Sequence, residues 1–342
     1  MSNLKILFMT PDMSHMAARL NHKWLEDEMS KIADCKMAGL GTENARRKDE
    51  GIQDVINRLY DGDSPDWVIV MIHSHDKFWY SYKVEAKEDR DWKIACHCGD
   101  MHNNQTGGPD EGFLKRRNNN EYDALLMKMM RIRWRGDPDF CIKNLKPKLH
   151  HLPFHVNPDI IKPHKGPKVW DVNNLGATEY GPYPLRFIMN EGLPQLCDRE
   201  GLKFLTASWP PGSIGLYMPM LKKDRKYKFY VGQEYYDAIS KSKIMAFDSS
   251  RFGYAVQKYY ECGFLKTMML TDTPMDAESL HLIPGWNFAE INQQNWSEKL
   301  LYYLKHENER LELVENAYDT MMKYHTTKIR AKQLLTFLEE NR

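Results

Sequence analysis

The feature of this sequence that most constrains its fold is an alternation between short apolar runs and longer helical patterns. In the first half, apolar runs of strand length lie at 4–9, 67–72, 92–96, 122–127 and 148–152. Amphipathic segments separate these runs, and the first of them continues to about Ile32. Strands separated by helices indicate βαβ units, which build parallel sheets with right-handed crossovers. The first half is therefore predicted to form a Rossmann-like domain.

The alternation stops at a proline-rich stretch and then begins again. Residues 153–167, PFHVNPDIIKPHKGP, contain four prolines and a glycine, a composition that interrupts helices and suits an ordered connection. Beyond it, strands are predicted at 169–175, 202–207, 227–231, 244–247 and 268–271, and a helical region at 296–342. The predicted fold class is α/β, with two Rossmann-like domains at 1–155 and 165–322 and a last helical segment at 323–342.

The charge balance means that any role in binding nucleic acid or a membrane must rest on a local patch. Lys and Arg number 48 against 47 Asp and Glu, so no global field marks a nucleic-acid or membrane binder. No apolar stretch reaches the length of a membrane span, and we expect a cytoplasmic protein. Six scattered cysteines in a chain of 342 residues favour reduced thiols over a disulfide framework.

The run Cys96-His97-Cys98 is compatible with a zinc site or with plain strand packing. Alternate residues of a strand point to opposite faces, and no second cysteine pair has the usual ligand spacing. Strand packing is the favoured interpretation, and no metal site is predicted.

Polar clusters follow two of the first-domain strands. His73 and His75 come after one strand, and Asp100 and His102 come after the next. The carboxyl ends of parallel strands are where α/β proteins bind ligands. Imidazole and carboxylate groups there suit a polyhydroxylated or phosphorylated ligand, although a lone histidine is usually structural.

The second domain carries candidates for a phosphate site. Ser250 and Arg251 lie between a strand and a predicted helix start before Tyr254, where backbone N–H groups attract anions. A serine before a helix is also an ordinary N-cap. Arg186 enters a helix after the first strand of this domain, and it suits either a diphosphate contact or a surface ion pair.

Three segments resemble a known family. The stretches YYDAISKSKIMAFDSS, QKYYECGFLKTMMLTDTP and YHTTKIRAKQLL are similar to the GT-B glycosyltransferases of family 4 type, and most of all to the CgeB-like branch. The likeness covers most of residues 148–342 and is looser before them. It implies two facing domains with a cleft, a C-terminal helix that crosses back to the first domain, and sugar transfer with retention and without a metal.

The resemblance assigns a role to Glu261. This residue stands eleven positions before Asp272 and matches the second of two family glutamates, which binds the ribose of a nucleotide-sugar. The place of the first glutamate, eight positions earlier, holds Gly253. Lys258 matches a lysine that commonly precedes the second glutamate by three positions.

Other family features are replaced in this chain. Ala177 stands where an arginine is often found, so Arg186 is the expected diphosphate ligand, with Lys258 and Arg251 as helpers. Thr10 to His15 replace the usual glycine-rich turn. The donor site implied by the resemblance therefore comprises Glu261, Lys258, Arg186, Arg251, Ser250 and Tyr254.

The first domain of the family contributes a residue that touches the donor sugar near its reacting carbon, and Asp100 and His102 match that place. A UDP-sugar is the expected donor. Two other functions remain open, namely an inactive nucleotide-sugar-binding module, which the glycine at position 253 favours, and a nucleotide-sugar epimerase on the same architecture.

The acceptor is expected on the first domain. Between residues 115 and 148 the sequence has ten Lys or Arg and four acids, and Arg131, Arg133 and Arg135 lie at its centre. Such a surface suits an anionic acceptor, such as modified nucleic acid, a polyanionic glycan or a lipid headgroup. A solvated helix face is the alternative.

Overall fold

The structure is a computed structural model of the chain. It describes residues 2–10, 20–39, 42–44, 50–72, 86–98, 102–103, 108–109, 122–133, 137–139, 142–143, 145–177, 180–206, 230 and 232–342. His73, His75, Asp100 and Arg135, predicted from the sequence as site residues, lie outside this described part, as does nearly all of the strand predicted at 227–231.

The first domain is built on a six-stranded parallel sheet in the order β2-β1-β3-β4-β7-β8. Its strands are β1 Lys5–Met9, β2 Asp34–Ala38, β3 Trp67–Ile72, β4 Lys93–Cys98, β7 Ala124–Met127 and β8 Lys148–His151. Helices α1 Leu20–Met29 and α2 Ile52–Tyr60 belong to the same domain, together with a short antiparallel pair, β5 His102–Asn103 and β6 Gly108–Pro109. The central strands are buried on both faces, which explains their continuous apolar runs.

The second domain has a five-stranded parallel sheet in the order β10-β9-β11-β12-β13. Its strands are β9 Trp170–Asn173, β10 Phe204–Leu205, β11 Ser242–Ala246, β12 Met268–Thr271 and β13 Ala289–Glu290. Its helices are α3 Pro184–Glu200, α4 Gln233–Ser240, α5 Gln257–Phe264, α6 Trp296–Lys305 and α7 Glu307–Tyr324. The two parallel sheets confirm the α/β prediction.

The last helix, α8 Thr327–Glu340, returns to the first domain. Thr326 caps its start, because the threonine hydroxyl accepts the Ile329 N–H at 3.4 Å. Leu334 and Leu338 are fully buried in a cluster with first-sheet residues, and the Trp67 indole N–H donates to the Leu338 carbonyl at 3.0 Å. This packing confirms the predicted crossing helix.

Two chain crossings between the domains lie side by side. The Val156 N–H donates to the His325 carbonyl at 3.0 Å, and the Thr327 N–H donates to the Val156 carbonyl at 2.8 Å. His155 lies next to this pairing, with its Nδ1 atom 3.0 Å from the Thr327 hydroxyl. The proline-rich connection and the start of α8 are therefore joined by main-chain hydrogen bonds.

The structure also contains edge strands that the apolar pattern did not indicate. Strand β2 lies at the edge of the first sheet, and only Ala38 of its five residues is buried. Strand β13 is two residues long and lies at one edge of the second sheet. Both strands carry polar residues because an edge strand faces solvent, and this mixed composition hides them from a search for apolar runs.

Strand β4 separates the members of the Cys96-His97-Cys98 run. Cys96 and Cys98 are buried in one hydrophobic cluster of the first domain, while His97 lines a pocket on the other side of the sheet. Within the described residues, no group of three or more His, Cys, Asp or Glu side chains is arranged to hold a metal ion. Cys35, Cys197 and Cys262 are free thiols.

Candidate functional site

The candidate site lies at the carboxyl edge of the second sheet, where β9, β11 and β12 end. Gly176 follows β9 with a φ of +108°, a conformation that favours glycine. A Cβ atom at this position would lie 2.6 Å from Nζ of Lys258. The absence of a side chain at Gly176 thus allows the Lys258 ammonium to lie against the backbone turn after β9.

Arg186 holds two strand ends together. Its guanidinium donates to the Ala177 carbonyl at 2.8 Å and to the Asp248 carbonyl at 3.0 Å, and it forms an ion pair with the Asp248 carboxylate at 3.1 Å. The Arg186 backbone N–H, in the first turn of α3, donates to Asp248 at 3.0 Å. Both side chains are buried, so this is a buried ion pair and not a surface one. The Asp248 carboxylate offsets the charge of Arg186.

Glu261 is held on α5 by two neighbours. Its carboxylate accepts a hydrogen bond from the Tyr235 hydroxyl at 2.9 Å and one from the Gln257 side-chain amide at 2.8 Å. The carboxylate is buried, and this burial raises the pKa of Glu261, against the opposing effect of nearby Lys258. The sequence pattern missed Tyr235, but Gln257 lies four positions before Glu261, the spacing at which helical side chains meet.

Lys258 lies one turn before Glu261 on the same helix. Burial and then the Arg186 guanidinium lower the pKa of the Lys258 ammonium, the Glu261 carboxylate opposes both effects, and the resulting pKa is about 8. A lysine with this pKa can change its charge state near neutral pH. The pair therefore places a cation over the Gly176 turn and a carboxylate beside it.

The Asp272 side chain stabilises the turn that precedes α5, residues 247–256. The Asp272 carboxylate accepts the Ser249 N–H at 2.7 Å and the Ser249 hydroxyl at 2.6 Å, and burial raises the pKa of Asp272. Ser250 has a φ of +68°, and its hydroxyl accepts the Phe252 N–H at 3.3 Å. The helix begins at Gln257, not before Tyr254 as the pattern predicted, and the Ser249 and Phe252 N–H groups already have protein acceptors.

Arg251 is exposed to solvent, whereas Tyr254 is buried. Arg251 is exposed, its backbone N–H donates to the Pro182 carbonyl at 2.8 Å, and its guanidinium lies 5.5 Å from the Phe252 ring. Tyr254 is buried in the hydrophobic cluster of the first domain, together with Phe252. The turn therefore contacts both domains.

The first domain contacts this turn through residues 129–133, which we call the clasp. The Met130 and Arg131 N–H groups donate to one carboxylate oxygen of Asp276 at 3.1 and 3.3 Å. The Arg133 N–H donates to the Phe252 carbonyl at 2.5 Å. Burial raises the pKa of Asp276, while these two backbone donors favour its charged form. The clasp joins the first domain to the donor side of the second.

The arginines of the clasp have different environments. Arg131 pairs with Asp139 at 3.1 Å, and both side chains are about half exposed. Arg133 lies over Gly253, where a Cβ atom would come within 3.3 Å of the Arg133 Cβ and 3.5 Å of its guanidinium carbon. Arg133 thus occupies the space beside the position where the family has its first glutamate. His102 lies in β5, which pairs with β6.

A small polar pocket lies near the domain junction, at the carboxyl edge of the first sheet. The rings of His22 and His97 meet edge to face at 4.7 Å, and the Lys128 ammonium lies 4.2 Å from the centre of the Phe154 ring. Burial lowers the pKa of His155 to about 3, so this ring is neutral. The pocket is lined by Asn21, His22, Leu25, His97, Lys128, Leu152, Pro153, Phe154 and His155. No motif in the sequence singles out these residues as a group.

Comparison with solved structures identifies the fold. A glycosyltransferase from Rickettsia africae ESF-5 superposes with a TM-score of 0.65 and 12% identity over 100% of this chain and 99% of that one. Anabaena HepE, in complex with UDP and glucose, gives a TM-score of 0.66 and 10% identity over 98% of this chain and 100% of that one. The chain therefore has the GT-B fold, as the resemblance implied.

A third structure has the same architecture and a different description. A Listeria monocytogenes protein described as a UDP-N-acetylglucosamine 2-epimerase gives a TM-score of 0.59 and 12% identity over 99% of this chain and 96% of that one. The fold is thus shared by proteins with different described activities.

The sequence comparison points to one family. Residues 195–336 match the family described as glycosyl transferase-like, and this segment includes α5 with Lys258 and Glu261. Among curated proteins, no sequence matches this chain. Across the described residues, no helix is both long and apolar enough to cross a membrane.

Proposed function

We propose that the protein is a glycosyltransferase that moves a sugar from a nucleotide diphosphate sugar to an acceptor. The observation that carries this proposal is the arrangement of Lys258 and Glu261 on α5, beside the Gly176 turn and within the segment that matches the glycosyl transferase-like family. A UDP-sugar is the expected donor, since the similar Anabaena structure contains UDP and glucose. The narrower placement in the CgeB-like branch stays a prediction.

The donor-site residues have distinct proposed roles. Glu261 accepts the two ribose hydroxyls, while Tyr235 and Gln257 fix the orientation of its carboxylate. Lys258 and the N-terminus of α3, next to Arg186, face the diphosphate, because cations and helix N-termini favour negative charge. Arg251, Ser250 and Tyr254 belong to the turn that lies between this site and the first domain.

The proposed reaction is transfer with retention at the anomeric carbon and without a bound metal. The protein must then stabilise the charge that develops on the departing diphosphate with its own side chains and helix termini. Asp100 and His102 remain the proposed first-domain residues near the reacting carbon, with His73 and His75 as proposed sugar or acceptor contacts. Positioning of the two substrates in the cleft supplies the rest of the rate enhancement.

The acceptor is proposed to be anionic, because of the basic segment at 115–148. Arg131 and Arg135 are its proposed contacts, together with Arg133. Modified nucleic acid, a polyanionic glycan and an anionic lipid headgroup all carry the negative charge that such a segment would bind.

An epimerase is the second candidate, and the similarity to the Listeria structure favours it. An epimerase would convert one nucleotide-sugar into its isomer without an acceptor. A transferase would instead release the nucleotide diphosphate and form a new glycosidic bond. A protein that binds the nucleotide-sugar without either reaction would be a binding module. Product analysis after incubation with UDP-sugars separates the three.

The proposal is tested by substituting Glu261. Glu261→Gln keeps the shape of the side chain but replaces a charged acceptor, which weakens hydrogen bonds worth about 1.5–3 kcal/mol each. We expect UDP affinity to fall by about one to two orders of magnitude, measured by titration calorimetry.

The matched control for this experiment is Glu298→Gln, which changes an exposed glutamate of the same domain on α6. The control should bind UDP as the unmodified protein does. Equal dissociation constants for the unmodified protein and Glu261→Gln would contradict the proposed donor site.

A further inference from the structure

The charges of the second-domain half of the site compensate one another. The cations there are Lys258, Arg186 and Arg251, and the carboxylates are Glu261, Asp248 and Asp272. Arg186 is paired with Asp248 at 3.1 Å, and Glu261 favours the charged form of Lys258. In the described part of this half-site, the positive and negative charges are therefore equal in number.

A nucleotide diphosphate brings a negative charge on each phosphate group, and the reaction adds another. The bond between the anomeric carbon and the β-phosphate oxygen breaks with its electron pair on the oxygen. The acceptor hydroxyl oxygen forms the new bond to that carbon and releases its proton to solvent water. The leaving diphosphate thus needs more positive charge than the described second-domain residues supply.

Arg133 of the clasp is a cation with free hydrogen-bonding capacity at this place. Its guanidinium is 4.0 Å from an Asp272 oxygen, which is too long for a hydrogen bond, and its side chain is 55% exposed. Both Asp272 oxygens already accept hydrogen bonds from Ser249. The contact between the Arg133 guanidinium and Asp272 is an ion pair without a hydrogen bond, so these N–H groups can still donate to a ligand.

Gly253, in the turn next to Arg133, has no side chain and so leaves room for the arginine. Gly253 has a φ of +72°, and a Cβ atom there would lie 3.0 Å from the Met275 Cγ and 3.3 Å from the Arg133 Cβ. The Arg133 N–H also donates to the Phe252 carbonyl. The glycine therefore allows the first domain to bring an arginine against the donor-side turn.

We propose that Arg133 is a catalytic residue that donates hydrogen bonds to the β-phosphate of the nucleotide-sugar and stabilises the charge on the leaving diphosphate. The proposal rests on the proposed function, and it reassigns Arg133 from the acceptor to the donor. Because Arg133 belongs to the first domain, it completes the site only when the domains are closed.

The test compares UDP with UMP, which lacks the β-phosphate. In the unmodified protein, UDP should bind at least about tenfold more tightly than UMP, since charge-assisted hydrogen bonds are strong. Arg133→Gln should reduce this ratio to about threefold or less and leave UMP affinity unchanged. Arg133→Lys should recover part of the ratio, because it restores the charge but not the fork of donors.

Two further variants sharpen the test. Lys328→Gln removes a positive charge from an exposed residue of α8 that pairs with Asp159 at 3.1 Å, outside the proposed site, and the UDP-to-UMP ratio should not change. Gly253→Ala should lower the ratio as Arg133→Gln does, because the added Cβ displaces the arginine. Thermal unfolding of each variant without nucleotide checks that the fold is retained.

Several results would overturn the inference. An unchanged UDP-to-UMP ratio in Arg133→Gln would do so, provided that UDP still binds through Glu261. A rise of about tenfold in UDP affinity on addition of Mg²⁺ would show that a metal supplies the charge instead. Failure of UDP to bind at all, or binding that does not depend on Glu261, would overturn the proposed function as well.

Discussion

At the scale of single residues, Lys258 lies between a cation, Arg186, and an anion, Glu261. Burial and Arg186 both lower the pKa of its ammonium, to about 8, and Glu261 opposes them. A bound diphosphate would add negative charge beside it and raise its pKa. Nucleotide binding and the protonation of Lys258 are therefore expected to be linked.

This linkage gives a prediction with a definite sign. Above about pH 8, the ligand-free protein has lost part of the Lys258 proton, so binding of UDP should take up protons and weaken as the pH rises. Titration calorimetry at about pH 8.5 in two buffers with different ionisation enthalpies measures this uptake.

Lys258→Arg provides the internal control, since arginine stays protonated over this range. Proton uptake should disappear in this variant. If it persists at the level of the unmodified protein, another group is responsible.

The sequence identified the central residues of the candidate site in part. Lys258 and Glu261 lie together on α5 as the spacing predicted, because positions three apart on a helix share a face. Asp248, Tyr235 and Asp276 could not be found in this way. They reach the site from separate elements, and only the folded chain brings them together.

At the scale of elements, the clasp connects the first domain to the turn before α5 and to Asp276. Asp276 accepts two backbone N–H groups from it, and this carboxylate is buried. Both donors lose a charged acceptor if the carboxylate is removed.

Asp276→Ala should therefore lower the free energy of unfolding by about 1–3 kcal/mol. It should also weaken UDP binding, because the clasp carries Arg133. Urea denaturation measures the change in stability, and calorimetry measures the change in UDP affinity.

The control is Asp319→Ala, at an exposed position on α7. Its free energy of unfolding should stay within about 0.5 kcal/mol of that of the unmodified protein. If Asp276→Ala lowers the free energy of unfolding no more than Asp319→Ala does, the clasp contributes little to the closed arrangement.

Central and edge strands differed in how well the sequence predicted them. Strands β3 and β12 have the predicted bounds, since both are buried on each face and read as continuous apolar runs. Among the described residues of the predicted run at 202–207, Phe204 and Leu205 pair with β9 and form β10. Pairing at an edge depends on the neighbouring strand, which a local pattern does not contain.

At the scale of the whole molecule, α8 ties the end of the chain to its beginning. Leu334 is fully buried against the first sheet, while Leu335 beside it is only partly buried. Leu334→Ala should lower the free energy of unfolding by about 2–5 kcal/mol, because it leaves a cavity in that cluster. Leu335→Ala is the matched control and should cost clearly less. Equal shifts of the urea midpoint in the two variants would contradict the packing of α8 described above.

The paired crossings at Val156 and Thr327 have a mechanical consequence. Two chain segments that pass between the domains at one place, and are joined there by main-chain hydrogen bonds, act as a single pivot. The domains can rotate about such a pivot, but they cannot slide past each other without breaking those bonds. The cleft should therefore open and close by rotation about this pivot, with no translation of one domain along the other.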